Sequence, residues 1–175
     1  MPVQSCLYYV AVVCPFSIDV QISAFKKWMQ ERYGCKHALK SPAHITLIPP
    51  FRCEPQLENN LKALINEVND GLMSFDVIIS GFGCFGKRVI YAEIKENSQL
   101  SLLHQLSNKI FSEIIFDNNR SFRPHITIAT RDIPESSFEE ALKHFLAIDF
   151  QTSFCVENVS LLKLIAGKWN VIHPL

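Results

Sequence analysis

The chain carries no net charge, because its 17 Lys and Arg balance its 17 Asp and Glu. That excludes the broad positive field with which duplex-binding proteins gather phosphates. Any nucleic acid partner is then a short piece or a strand end held in a local pocket, not a duplex. The six cysteines, Cys6, Cys14, Cys35, Cys53, Cys84 and Cys155, form no Cys-x-x-Cys pair and no Cys–His cluster. Without a secretory signal they read as reduced thiols, several of them in strands, and "CKH" at 35–37 is too poor in ligands to indicate a metal. The apolar run "CLYYVAVVC" has no basic residue before it and is too short to span a membrane, so it reads as a buried first strand of a cytoplasmic protein. No linker, low-complexity tract or long charge run divides the chain.

What is present is a large apolar fraction, 48% hydrophobic with 13 Phe in 175 residues, enough to bury a core in one domain over residues 1–175. Periodicity predicts a strand over 6–14 and then a helix from Ser17 to Tyr33, started near Ser17 and Asp19 and stopped by Gly34. "HITLI" is the next strand, closed by Pro49 and Pro50, and Leu57, Leu61, Leu64, Ile65 and Val68 mark a second helix. "SFDVIISGF" and "RVIYAEI" predict a hairpin around a turn at "GCFGK". A third helical stripe runs from Leu100 to Ile114, "RPHITIAT" is a strand, 136–146 a fourth helix, and three strands fill the last quarter. Helices mixed with hairpins predict an α+β fold with largely antiparallel sheets rather than a doubly wound parallel one.

The strongest signal is an echo. "PAHITLIPP" at 42–50 and "PHITIAT" at 124–130 repeat one pattern, with His44 and His125 lying 81 residues apart, close to half the chain. Side chains alternate along a strand, so His44 shares a face with Thr46, and Arg123 and His125 share one with Thr127. Imidazole exchanges protons near neutral pH. Two imidazoles on opposite sides of a phosphate can serve as base toward an incoming nucleophile and acid toward a leaving oxygen, the in-line geometry of phosphoryl transfer. The Thr hydroxyls can donate to the non-bridging oxygens, with Arg123 as a further phosphate contact. His37, His104, His144 and His173 lack a Thr two residues later and read as surface or structural.

With "HITL" at 44–47, "HITI" at 125–128, "LIPPF", "FRPH" and the opening "YYVAVVCP" in view, the sequence resembles the two-histidine (2H) phosphoesterase superfamily, nearest its bacterial 2′-5′ RNA ligase and RNA 2′,3′-cyclic phosphodiesterase branch. The resemblance covers almost the whole chain, and it implies a bilobal single domain with two pseudo-symmetric, mostly antiparallel sheets and flanking helices around a central cleft. It implies a metal-independent enzyme without cofactor, acting on a nucleotide or an RNA 3′ end bearing a cyclic phosphate, and reversible 2′-5′ joining. His44 and His125 would be catalytic, and Thr46, Thr127 and Arg123 would bind phosphate. His125 is preferred as base and His44 as acid, with the reverse direction open. Phe51, Phe82, Phe85 and Tyr91 are candidates for stacking on a base, and Lys87 and Arg88 for attracting a remaining phosphate. We expect a monomer and no membrane partner. The alternative is a non-catalytic nucleotide-binding module using the same cleft.

Overall fold

In the computed structural model, residues 5–115 and 121–174 are described. The first strand, β1 (Cys6–Val13), is buried on both faces: Tyr8, Val10 and Val12 enter the main core, while Tyr9 and Ala11 join a smaller cluster with Leu162. That double burial is why the run is continuously apolar rather than alternating. Helix α1 (Phe16–Tyr33) buries Ile18, Ile22, Lys26 and Met29. It stops at Gly34, whose φ of 75° is the left-handed conformation that suits glycine, with its N–H donating to the Gln30 carbonyl. It starts at Phe16, one residue before the expected Ser17, and Asp19 lies in its first turn but caps nothing there. Pro15 precedes the first turn, and the Asp19 carboxylate instead accepts from the Ala43 amide at 2.6 Å.

The chain continues through β2 (His44–Cys53), α2 (Glu58–Asp70), β3 (Phe75–Phe85), β4 (Val89–Ile94), α3 (Ser98–Ile110), β5 (His125–Thr130), α4 (Phe138–Leu146), β6 (Gln151–Val156), β7 (Ser160–Ile165) and β8 (Lys168–His173). The hairpin turn is shorter than "GCFGK" suggests: Gly83 to Phe85 extend β3, and the chain reverses over residues 86–88. Gly83 is needed there for another reason. A Cβ on it would lie 2.7 Å from the Tyr91 hydroxyl, so its bareness lets Tyr91 cross the β3 backbone.

Two four-stranded sheets result, ordered β2-β1-β7-β8 and β5-β4-β3-β6, with every described pairing antiparallel. The fold is α+β. The pieces β1-α1-β2 and β4-α3-β5 are equivalents: each helix joins two antiparallel neighbours, and each His-x-Thr strand is a sheet edge. The helices are exchanged between the lobes. Helix α1 lies against β5, α3 lies against β2, and the two edge strands meet. Edges that would otherwise offer unpaired backbone are thereby covered and turned toward one another.

Candidate active site

The echo extends beyond the motif. On β2, Thr46 pairs with Ala11 while Ile48 pairs with the next residue back, Val10; on β5, Thr127 pairs with Tyr91 while Ala129 pairs with Ile90. Each strand therefore carries one extra residue at the same place, a β-bulge that buries Leu47 and Ile48 in one copy and Ile128 and Ala129 in the other. The phase is reset behind it, so that Thr130 returns to the partly exposed side with His125 and Thr127.

The two rings are held alike. His44 Nδ1 lies 2.7 Å from the Pro42 carbonyl oxygen, and His125 Nδ1 lies 2.7 Å from that of Arg123. A carbonyl only accepts, so Nδ1 carries the proton and Nε2 keeps the lone pair in each neutral ring. Tyr9 packs on His44 at 4.8 Å between centroids, while Phe85 and Tyr91 pack on His125 at 4.8 and 5.3 Å. Burial pushes His44 down to about 4, opposed by the Pro42 carbonyl and reinforced by Lys26 and by His125 itself. Burial also lowers His125, opposed by the Arg123 carbonyl. Both rings are neutral near pH 7.

A cavity of about 190 Å³ between the sheets joins His44 and Thr46 on β2 to Thr127 and Thr130 on β5, with Tyr9, Lys26, Ser41 and Trp169 among its walls. Lys26 is 3% exposed and its Nζ donates to the Ser41 carbonyl at 2.9 Å. Burial pushes this ammonium down to about 8, with Asp19 opposing. Lys26 and Asp19 thus fasten residues 41–43, the approach to His44, from the same helix. Asp132 does similar work just past β5: its Oδ2 accepts from the amides of Lys36 and His37 at 2.6 and 2.7 Å.

The profile of the 2′-5′ RNA ligase superfamily matches residues 14–168. The chain belongs to that superfamily, the 2H phosphoesterases. Among curated proteins none matches it. Among solved structures it is similar to TT0787 of Thermus thermophilus (20% identity, 95% of each chain covered, TM-score 0.68). It is also similar to LigT of E. coli in complex with 3′-AMP (17% identity, 96% of this chain and 94% of that one, TM-score 0.63). At those identities the likeness is one of fold.

For a 2H phosphoesterase, the sequence-predicted residues divide in three. His44, Thr46 and Thr127 line one cavity, and His125 stands near enough to oppose charge on His44. Phe85, Tyr91 and Arg123 line a neighbouring cavity of about 540 Å³ on the His125 side. Arg123 is not in register on the strand as expected, because β5 begins only at His125 after Pro124. Phe82 is a correction, buried among Phe25, Phe145 and Phe150, while Phe51 is partly buried, packs on Tyr8 and Phe111 and lines neither cavity. His37, expected to be surface or structural, lines the His44 cavity, whereas His144 stacks on Trp28, His104 on Phe122, and His173 bonds Asn66.

Tyr9, Lys26, Ser41, Thr130, Arg131 and Trp169 join the site without a place in the sequence pattern that pointed to it. Lys26 had a visible signal, since it sits in the apolar phase Ile18, Ile22, Lys26, Met29 of α1. Thr130 and Arg131 had none, because a bulge changes the period without changing the residue types. Among the described residues, no three His, Cys, Asp or Glu come together in a metal-holding group, and no helix is long and apolar enough to cross a membrane.

Proposed function

We propose that this protein is a phosphodiesterase that opens 2′,3′-cyclic phosphates on nucleotides or RNA 3′ ends, and that a 5′-hydroxyl in place of water would let it make a 2′-5′ bond. One observation carries the reading: two histidines on facing edge strands, each with Nδ1 tied to the carbonyl two residues back, leaving Nε2 for proton exchange. The water oxygen attacks phosphorus as His125 Nε2 takes its proton. The P–O3′ bond breaks as His44, protonated at Nε2, gives its proton to O3′, leaving a 2′-phosphate and a free 3′-hydroxyl. Thr46 and Thr127 donate to the non-bridging oxygens, where charge accumulates. Arg123 adds positive charge from the His125 side.

The shape of the site supports this direction. The cavity beside His44 has the partly exposed Trp169 on its wall, set edge-on against the buried Tyr9 at 4.6 Å, and a base can stack on it. The ribose and its departing oxygen then lie toward His44, and the water side is left to His125, where Phe85 and Tyr91 serve mainly as ring supports. Burial disfavours the protonated His44 that this requires, and the negative charge of a bound phosphate restores it. The test is incubation with 2′,3′-cyclic nucleotides and a cyclic-phosphate-ended oligonucleotide, followed by assignment of the phosphate position in the products. Turnover to a 2′-phosphate is the expected result. Saturable binding without turnover overturns hydrolysis in favour of a nucleotide-binding module.

A further inference from the structure

The cavity that holds His44 does not end at β5. Thr130 and Arg131 also wall a larger one of about 660 Å³, completed by Lys87, Arg88, Val89, Ile133 and Glu135. We propose that this second cavity binds the phosphate adjacent to the reacting one, so that the preferred substrate is an RNA strand end of two or more nucleotides rather than a mononucleotide. The proposal rests on the cyclic-phosphate reading of the His44 pocket and names the substrate class within it.

Charge is the first argument. In a chain whose formal charges cancel, this cavity gathers Lys87, Arg88 and Arg131 against the single carboxylate of Glu135. The cavity on the His125 side has the opposite balance, with Glu93 and Glu96 against Arg123. A second phosphodiester is therefore favoured on the first side and opposed on the other. Availability is the second argument. Among the described residues neither Arg88 nor Arg131 has a carboxylate within ion-pair distance, and Lys87 reaches Glu139 only at 4.0 Å on an exposed surface. Position is the third. Arg131 has φ of 70°, a conformation uncommon for a residue with a side chain, at the corner between the two cavities. The next residue, Asp132, is fixed through its bonds to Lys36 and His37, which holds that corner in place.

The test compares two dinucleotides ending in a 2′-phosphate, one with the natural internucleotide linkage and one with a neutral methylphosphonate, by calorimetric titration of the intact protein. The natural linkage should bind about tenfold or more tightly, the scale of hydrogen bonds to a charged group. In Lys87→Gln/Arg88→Gln, two exposed turn residues, that preference should collapse toward onefold. Equal affinities in the unaltered protein, or no binding of either dinucleotide, would overturn the second site. The matching cyclic-phosphate dinucleotides, assayed for turnover, separate the two claims. Discrimination in binding with no turnover leaves this site standing and removes hydrolysis, whereas equal turnover of both linkages keeps hydrolysis and removes this site.

Discussion

His44 and His125 are each held by a carbonyl two residues back, yet their surroundings differ. Tyr9, Lys26 and Ser41 crowd His44, while Phe85 and Tyr91 frame His125. The roles assigned to them separate with a substrate whose leaving group needs no acid. On a p-nitrophenyl phosphodiester, His44→Ala should recover most of its lost rate relative to the unaltered protein, and His125→Ala should recover little. Steady-state kinetics on this ester and on a cyclic nucleotide measure both, and the opposite pattern reverses the assignment. At this scale the sequence was readable where strand alternation is strict, as in His-x-Thr. It was unreadable one residue past the bulge, where Thr130 regains the exposed face, and at Phe51, whose partners come from β1 and the end of α3.

Among the elements, α1 does more than pack. It brings Lys26 Nζ to the Ser41 carbonyl and Asp19 to the Ala43 amide, so one helix sets the approach of β2 to the cavity. Replacing Lys26 by Met keeps the length and removes both donor and charge. The Ser41 carbonyl is left unpaired at a cost of about 1–3 kcal/mol, and the loss of a nearby positive charge lets the His44 pKa rise. Thermal melts should show the destabilisation, and NMR titration of His44 should show its pKa moving up from about 4. An unmoved titration would mean that Lys26 only supports the loop. The helices and strands were largely legible from their periods, and Gly34 marked the end of α1 correctly, but β2 runs on through Pro49 and Pro50, which were expected to close it, as far as Cys53. The helix start was read to within one residue, but the long-range bond to which Asp19 is committed is something local sequence does not reveal.

At the scale of the whole molecule, the two-lobed plan was legible from the spacing of the echo, but the exchange of helices was not. That α1 lies on the opposite lobe's β5 is a consequence of packing, invisible to any window along the chain. Burying neutral histidines between lobes also has a cost in acid. The unfolded chain takes up a proton near pH 6.5 and the folded His44 only near 4, so stability falls as pH drops between those values, by on the order of 3 kcal/mol from this group. His37, His104 and His125, all lowered, act in the same direction. Glu58, held down to about 2 by Lys163, extends the loss below pH 4.5. Denaturant midpoints should decline from pH 6.5 to 4, and less steeply in His44→Asn; a flat profile in the unaltered protein would contradict the buried neutral ring.

The central proposal is that two imidazoles, carried on facing edge strands by separate halves of the chain, form one acid–base pair. The most direct measurement is kcat/KM for a 2′,3′-cyclic nucleotide in His44→Ala and His125→Ala, each checked for a native circular dichroism spectrum. Either substitution should lower it by at least about 10²-fold, the contribution expected of positioned proton transfer. Near-native rates in both folded variants would contradict the pairing.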